Sequence, residues 1–279
     1  MNSDDQRGER GPSTAQRRQA IIDWVLKEGS ASNEDLVEAF GVSQMTIYRD
    51  LDLLEEQGWL RKVRGGATAT PSALFESNVR FREQDNHVEK EAVARRALEF
   101  IDPGQAIFLD DSTTTLHLAR MLPSRGPLTV ITNFLSVVNA LASEPSIKII
   151  ALGGTYYPSY NAFLGMATSD AARPLKADAV YMSTSAITDN ICYHQSPETI
   201  MVKRALMAAA HRRILVVDHS KFARKALHEL APLTAFDLII VDSGIADEQF
   251  AAISDLGVPI EIARPGIGTP AKGKRPGTG

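Results

Sequence analysis

The feature that most constrains the fold of this chain is residues 43–51, Ser-Gln-Met-Thr-Ile-Tyr-Arg-Asp-Leu, which predict a helix with one buried face. Ile47, Leu51 and Leu54 stand at i, i+4 and i+7, so that one apolar stripe faces a core. At the start of this helix, backbone N–H groups that have no partner within the helix can donate hydrogen bonds to a phosphate. A helix of this kind is typical of proteins that read base edges in the major groove of DNA.

The residues before this helix predict two more helices. The first spans 16–27 and ends at Gly29. The second begins at the cap residue Ser32 and ends at Gly41, where the chain turns. Ser43 then caps the third helix. The sequence therefore predicts one helix followed by a helix-turn-helix.

A hairpin is predicted after the third helix, because residues 59–68 alternate loosely around Gly65 and Gly66. Such a hairpin is typical of the wing of a winged helix. The predicted domain spans 14–69, with the helix-turn-helix at about 31–50. The candidate DNA contacts project from the start of the third helix and from the wing, and they are Ser43, Gln44, Met45, Thr46, Tyr48, Arg49, Arg61, Lys62 and Arg64.

The charge of this domain leaves a second interpretation open. Residues 15–70 hold seven Lys/Arg against nine Asp/Glu, so the domain is not basic overall. A DNA-binding face then requires local clustering of the cations, with acids such as Glu55 and Glu56 turned away from the DNA. The alternative is that the three helices form a protein-interaction module. The basic hairpin favours binding to DNA.

Length and composition fit two domains in the cytoplasm. The 279 residues are 44% hydrophobic with a formal charge of -4, enough to bury a second and larger core. The single cysteine, Cys192, excludes an internal disulfide framework and agrees with a reducing compartment. No apolar run reaches membrane-spanning length and no signal-peptide region is present, so no membrane partner is expected. Residues 1–13 and 264–279 predict disordered tails, and 70–79 a linker.

The remaining residues, 80–263, predict an α/β domain. A helical pattern over 80–101 comes first, with Val88 and Ala92 among its inward residues. Short apolar runs then alternate with helical segments, which is typical of a mostly parallel sheet. The predicted strands are 106–109, 128–131, 148–152, 179–182, 214–217, 238–241 and 259–262.

Small hydroxyl and glycine residues recur directly after these strands, where an open parallel sheet binds its ligand. Hydroxyls and helix N-terminal N–H groups can surround an anion, glycines let the backbone approach a ligand, and Lys221 can supply a point charge. The other residues concerned are Asp110, Ser112, Thr113, Thr114, Thr132, Asn133, Gly153, Gly154 and Ser183. For each loop the alternative is that Ser or Thr only caps the next helix. Several such loops at one edge favour a phosphate-bearing ligand.

The chain resembles bacterial transcription regulators of the DeoR type over nearly its whole length. In the first domain the resemblance rests on Gln16-Arg17-Arg18, on Ser43, Thr46, Ile47, Arg49, Asp50 and Leu51, and on Arg64-Gly65-Gly66-Ala67. In the second it rests on Asp110 to Thr114, Thr132-Asn133, Gly153-Gly154, the helix with Glu198 and Lys203, and Asp218-x-Ser220-Lys221-Phe222.

This resemblance implies a winged helix-turn-helix followed by a mostly parallel α/β domain related to sugar-phosphate isomerases and CoA transferases. The second domain would sense a phosphorylated sugar or related metabolite, with Glu198 and Lys203 added to the effector-binding residues. The chain departs from the family pattern in three places. Tyr48 stands where a second basic residue is usual, Ser112 where glycine is common, and residues 183–185 replace a loop that usually contains glycine.

A sugar-phosphate isomerase with an accessory winged helix is the alternative from another class. Such an enzyme needs a carboxylate or histidine beside the substrate carbons, and Asp110, Glu198, Asp218, His194 and His219 offer such groups. The chain has no metal-ligand spacing, and an isomerase does not need a winged helix. We therefore expect a regulator with no catalytic residue, metal or cofactor, repressing genes for uptake or breakdown of a carbohydrate. Its expected partners are double-stranded operator DNA, a phosphorylated sugar or related effector, and further copies of itself in a dimer or tetramer.

Overall fold

The computed structural model describes residues 13–56, 59–68 and 79–265, which divide into two units. The N-terminal unit holds the residues up to Asp85 together with 156–162, and the C-terminal unit holds the rest. The predicted linker and both predicted tails lie outside the described residues, apart from a few residues at their boundaries. Their disorder therefore stays a prediction.

Three helices open the N-terminal unit, and their caps are the ones that the sequence supplies. The helices are Thr14–Glu28 (α1), Asn33–Phe40 (α2) and Gln44–Glu56 (α3). Ser13 was assigned to the tail, but it is the N-cap of α1. Its side chain accepts the Gln16 N–H at 3.3 Å, and the Gln16 side chain accepts the Ser13 N–H at 2.9 Å. This reciprocal pair satisfies two N–H groups at the helix start.

The three helices enclose one apolar core. The stripe predicted for α3 is confirmed, since Ile47, Leu51 and Leu54 are all buried. They pack with apolar side chains from α1, α2 and the segments that follow, which are Ile21, Ile22, Val25, Ala31, Leu36, Leu60 and Ala67. This core fixes which side of α3 faces outward.

The wing has three strands where the sequence predicted two. The strands are Ser30–Ser32 (β1), Arg61–Val63 (β2) and Gly66–Thr68 (β3), in the order β1-β3-β2 with antiparallel pairs. Gly66 allows the close pairing of β1 and β3, because a Cβ on it would lie 2.1 Å from the carbonyl oxygen of Ala31. The strand β1 has only three residues, too few for a sequence pattern to predict it, and its pairing with β3 defines it.

The single helix predicted over 80–101 is two helices, Val79–Gln84 (α4) and His87–Leu98 (α5). Asn86 interrupts them with a left-handed backbone, φ 50° and ψ 42°, which asparagine adopts more readily than most residues. The break also changes which side chains are buried. Val88 was expected inward but is 56% exposed, whereas Lys90 is buried.

The C-terminal unit contains the predicted sheet. The strands from residue 106 onward are, in chain order, Ala106–Leu109 (β4), Leu128–Thr132 (β5), Ile147–Ala151 (β6), Thr155–Tyr157 (β7), Ala162–Leu164 (β8), Ala177–Met182 (β9), Ala186–Thr188 (β10), Ile191–His194 (β11), Ala210–Val217 (β12), His228–Pro232 (β13), Leu238–Asp242 (β14) and Ile260–Ala263 (β15), of which β7 and β8 include residues of the 156–162 segment of the N-terminal unit. Seven of them form one parallel sheet in the order β15-β14-β12-β9-β4-β5-β6. These are the seven predicted strands, and the largest difference is that β12 starts at residue 210 instead of 214.

Helices and small sheets complete this unit. The helices are Thr113–Met121 (α6), Leu135–Leu141 (α7), Met166–Ala172 (α8), Pro197–Ala208 (α9) and Asp247–Asp255 (α10), with 3-10 turns at Leu122–Arg125, His219–Ala223 and Leu233–Ala235. Two small sheets, β7-β8 and the antiparallel β10-β11-β13, do not appear in the sequence-based prediction. The central strands are apolar on both faces, as parallel strands covered on both sides require. Within the described residues, no helix has the length and apolar character needed to cross a membrane.

Candidate functional site

The start of α3 presents an outward face that matches the predicted DNA contacts. Gln44, Met45, Tyr48 and Arg49 are exposed on it, with Met45 62% and Tyr48 38% exposed. Ser43 is exposed as well, but its hydroxyl accepts the N–H of Thr46 at 3.3 Å and so serves as the helix cap. The helix therefore holds four outward side chains above a rigid, buried stripe.

Asp50, the acidic residue within 43–51, forms its ion pairs inside the domain. Asp50 is buried, and its two carboxylate oxygens accept from Arg17 Nε at 2.7 Å and from Arg18 Nε at 2.6 Å. These ion pairs join α1 to α3, so the two arginines of the Gln16-Arg17-Arg18 motif act on the fold. They also keep the charge of Asp50 inside the domain and away from the outward face of α3.

Lys62 in the wing is tied to α3 by its own contacts. Its ammonium group pairs with Asp52 and lies 5.7 Å from the centroid of the Tyr48 ring. Its backbone N–H donates to Glu55 Oε1 at 2.8 Å. Sequence reasoning placed Lys62 among the DNA contacts but gave no sign of this internal role. The other wing cations, Arg61 and Arg64, are exposed.

In the C-terminal unit, several of the predicted effector residues lie at one edge of the sheet. The strands β12, β9, β4, β5 and β6 are neighbours in that order and all run in the same direction. Each of the predicted loops follows one of these strands at its carboxyl end. The residues at that edge are Asp218, Ser183, Asp110, Thr132, Asn133, Gly153 and Gly154.

Asp110 connects its own loop to the loop after β9 and to the helix α9 through its buried carboxylate. Oδ1 accepts the N–H of Ser112 at 3.1 Å and the hydroxyl of Thr115 at 3.0 Å. Oδ2 accepts the N–H of Ser183 at 2.8 Å and a bond from the ammonium group of Lys203. Lys203 also donates to the Ser183 carbonyl at 3.1 Å. The predicted group of Asp110, Ser183 and Lys203 is therefore one hydrogen-bonded cluster.

The charge of Lys203 is compensated by the protein itself. Its side chain is 2% exposed, and Nζ lies 3.4 Å from Asp111 Oδ1 in addition to its bond with Asp110. Sequence reasoning placed Lys203 only among effector contacts. The structure gives it a supporting role as well, because a buried ammonium group between two carboxylates holds two strand-following loops together.

The loop after β12 forms a second cluster around Asp218. Its Oδ1 accepts from the Ser220 N–H at 3.1 Å and from Asn86 Nδ2 at 3.2 Å, and its Oδ2 lies 3.8 Å from Lys221 Nζ. Burial by itself raises the pKa of Asp218, but Lys221, the Ser220 hydroxyl and the more distant Lys90 favour the ionised form, so the pKa is lowered overall. Lys221 therefore lies at the predicted edge beside an ionised carboxylate.

Two members of this cluster were missed by sequence reasoning. Asn86 also donates to Ser220 Oγ at 3.1 Å, and Lys90 is buried one helical turn later. An asparagine ahead of a helical stretch is a signal for a cap. The continuous helical pattern over 80–101 concealed it.

Ser112 caps the helix that follows its loop. Its hydroxyl accepts the N–H of Thr115 at 3.2 Å and so is the N-cap of α6. Thr113 and Thr114, the first two residues of that helix, are buried beside it. Capping and ligand binding are compatible here, because a cap satisfies one N–H group of the four at a helix start.

The remaining predicted residues have separate contacts. The Thr132 hydroxyl accepts the Phe134 N–H at 3.0 Å, and Asn133 Nδ2 donates to the Phe163 carbonyl at 3.0 Å. Gly154 has φ 150°, and a Cβ on it would lie 2.1 Å from Thr168 Oγ1. The backbone of Gly154 therefore lies too close to the Thr168 side chain for any larger residue. Glu198 accepts from the Ser196 hydroxyl at 2.8 Å, a contact within the start of its own helix. No described bond links Glu198 to the Asp110 cluster.

Burial controls the chemistry of Cys192. The thiol is fully buried, and burial raises its pKa to about 12, although Lys203 and the Thr184 side chain oppose the shift. Among the residues that the structure describes, no three His, Cys, Asp or Glu side chains are grouped to hold a metal ion.

Native Cys192 is expected to resist alkylation, because the thiolate is the reactive form and is scarce four pH units below a pKa of about 12. With iodoacetamide at pH 8, mass spectrometry should find Cys192 unmodified in the native protein over a time that gives complete modification in urea. Comparable rates in both states would contradict the buried placement.

Comparison with known proteins gives a family match for both units. Residues 17–73 match the model of a DeoR-like helix-turn-helix domain, and residues 85–243 match that of a DeoR C terminal sensor domain. The matched ranges coincide with the winged helix and with the seven-stranded sheet up to β14.

Curated relatives match over most of their length. The glycerol-3-phosphate regulon repressor of Escherichia coli (strain K12) is 32% identical over 88% of this chain and 98% of its own. The L-fucose operon activator of Haemophilus influenzae is 32% identical over 83% of this chain and 93% of its own. The transcriptional repressor AccR of Agrobacterium fabrum is 32% identical over 83% of this chain and 91% of its own. All three are named as regulators of transcription.

Proposed function

This chain belongs to the DeoR family of transcriptional regulators, and we propose that it represses genes for uptake or breakdown of a carbohydrate. In this proposal the winged helix binds double-stranded operator DNA. A phosphorylated sugar or related metabolite binds at the carboxyl edge of the parallel sheet and changes operator affinity. Of the three relatives described above, two are named as repressors and one as an activator. That this chain represses its genes, and does not activate them, is therefore part of the proposal.

The observation that carries DNA binding is the outward face of α3. It offers Gln44, Met45, Tyr48 and Arg49, while Asp50 is neutralised by arginines inside the domain and Asp52 by Lys62. A first helical turn without uncompensated acids can enter the major groove without repelling phosphate. The exposed Arg61 and Arg64 of the wing would contact the backbone.

The observation that supports effector binding is the meeting of five strand ends. Parallel sheets bind ligands at this edge, and the loops there supply hydroxyls, the start of α6 and the cation Lys221. Because Lys203 is compensated by two carboxylates, Lys221 is the better candidate for contacting a phosphate. The relative named for the glycerol-3-phosphate regulon agrees with a phosphorylated ligand.

We propose further that the chain acts in the cytoplasm as a dimer or tetramer and is not an enzyme. A single winged helix contacts few base pairs, and pairing two of them on related half-sites raises specificity. Of the five candidate bases, Asp110 and Asp218 are each held by a lysine and a backbone N–H, and Glu198, His194 and His219 each have a hydrogen-bond partner within the protein. Turnover assays with pentose and hexose phosphates test this point directly.

Arg49→Ala is expected to weaken binding to the specific operator by about 1–3 kcal/mol, the typical loss of a base contact. Arg61→Ala is expected to weaken binding to all sequences and to lower the slope of log K against log salt by about one, because it removes a phosphate contact. Binding isotherms at two salt concentrations measure both effects. Arg173→Ala, an exposed arginine of the C-terminal unit, is the control. Unchanged affinity in both wing and helix variants would contradict the proposed DNA face.

Lys221→Met is expected to lower effector affinity about tenfold or more, because a hydrogen bond to a charged group contributes roughly 1.5–3 kcal/mol. Thr114→Val removes a buried hydroxyl at nearly constant shape and should act in the same direction. Thermal shifts with a panel of phosphorylated sugars, including glycerol 3-phosphate, and with inorganic phosphate measure the loss. Lys176→Met is the control at an exposed lysine. Parent-like shifts in both variants would place the phosphate site elsewhere.

A further inference from the structure

Met45 is an apolar side chain placed where a recognition helix meets DNA. It is the second residue of α3 and is 62% exposed. Single exposed hydrophobic residues are common and need no explanation by themselves. Met45, however, shares its face with Tyr48 and Arg49, three and four positions later, and this face is the one that points away from the buried stripe.

The charges around Met45 leave a face that is weakly polar. Arg49 is the only Lys or Arg in the sequence of α3. Asp50 is compensated by Arg17 and Arg18, and Asp52 by Lys62. The outward face at the start of α3 therefore combines one cation, Arg49 in the second helical turn, with the uncharged side chains of Gln44, Met45 and Tyr48.

The Tyr48 ring lies close to a wing residue, and Met45 is the more exposed of the two side chains. Lys62 Nζ lies 5.7 Å from the ring centroid, so this ring is partly covered by a wing residue. Met45 reaches outward one turn earlier with an unbranched and flexible side chain that adapts to an apolar partner. It is the apolar group of α3 best placed to contact a base.

Base chemistry identifies the partner of such a side chain. In the major groove, the 5-methyl group of thymine is the apolar group that distinguishes one base pair from the other three, and apolar side chains read it by contact. Arg49, four positions along the same face, is suited to the O6 and N7 atoms of guanine. A thymine methyl therefore complements Met45 as guanine complements Arg49.

We propose that Met45 reads the 5-methyl group of a thymine in each operator half-site, close to the base pair that Arg49 contacts. This inference rests on the proposed function, since it requires that α3 lies in the major groove. In this proposal, the uncharged side chain of Met45 helps to determine which operator sequence is bound. Tyr48, on the same helix, stands where the family usually has a second basic residue.

The test uses operator duplexes in which thymine is replaced by deoxyuridine, which lacks only the methyl group. The operator is first obtained by selecting tight binders from random duplex DNA with the full-length protein. Each thymine is then replaced in turn. Loss of the methyl contact is expected to weaken binding about threefold to fivefold at one position in each half-site, the equivalent of burying one methyl group.

Protein variants assign the effect to Met45. Met45→Ala should weaken binding to the thymine operator by a similar factor and remove the difference between thymine and deoxyuridine. Met45→Leu, which keeps an apolar contact, should retain part of that difference. Met166→Ala is the matched control, because this methionine is 69% exposed in the C-terminal unit.

The outcomes separate this inference from the proposed function. If specific DNA is selected but no thymine shows a methyl effect, or if Met45→Ala keeps the full effect, the inference is wrong and DNA binding stands. If no sequence is enriched at all, DNA binding by this chain is contradicted and the inference fails with it.

Discussion

Lys203→Met is expected to lower the free energy of unfolding of the C-terminal unit by about 3–5 kcal/mol, the usual result of breaking a buried ion pair from one side. The substitution leaves the carboxylates of Asp110 and Asp111 buried without their shared cation. It also removes the donor to the Ser183 carbonyl. Methionine has nearly the length of the lysine stem, so the loss comes from charge and hydrogen bonding more than from packing.

The two tryptophans make this prediction measurable unit by unit. Trp24 and Trp59 are the only tryptophans of the chain, and both lie in the N-terminal unit. In urea, circular dichroism should show earlier unfolding of Lys203→Met, while the tryptophan fluorescence transition should move much less.

Removing a carboxylate should restore part of the lost stability. The double variant Asp110→Asn, Lys203→Met no longer buries an uncompensated charge at position 110, so it is expected to be more stable than Lys203→Met alone. Lys176→Met, at an exposed lysine, should change little. A Lys203→Met protein as stable as the parent would contradict the buried cluster.

Asp50→Ala is expected to destabilise the winged helix by about 3–5 kcal/mol, because it removes the negative partner of a buried ion pair and leaves a positive charge uncompensated. The substitution leaves the buried Arg17 without its carboxylate and cuts both ion pairs between α1 and α3. For so small a domain, a loss of this size is a large fraction of the total stability. Specific DNA binding should then fail although no outward residue of α3 has changed.

The neighbouring acid on the same helix supplies the control. Asp52 is 62% exposed and pairs with Lys62, so Asp52→Ala should cost less than about 1 kcal/mol. Asp50→Asn keeps the shape and one acceptor and should lie between the two. Tryptophan fluorescence in urea measures all three variants. Equal transitions for Asp50→Ala and Asp52→Ala would contradict the buried role of Asp50.

Most of the secondary structure followed from local patterns. The apolar stripe of Ile47, Leu51 and Leu54 predicted the orientation of α3, and Ser32 and Ser43 predicted two helix starts. Seven apolar runs predicted the seven parallel strands. These signals are readable because periodicity and capping involve residues within a few positions of each other.

The errors arose where a distant partner decided the local structure. The strand Ser30–Ser32 exists through its pairing with Gly66–Thr68, and the break at Asn86 accompanies contacts with Asp218 and Ser220 more than 130 positions away. Val88 was expected to face inward on one long helix, yet it is 56% exposed, and the nearby Lys90 is buried instead.

The sequence by itself determined the two domains, the outward face of α3 and the loops that follow the strands, because hydrophobic periodicity and turn chemistry are local. Only the tertiary structure decided how the charged residues are used. Asp50 pairs with Arg17 across 33 positions, and Asp110 with Lys203 across 93. A buried charge needs a compensating partner in space, and no local pattern specifies which distant residue will provide it.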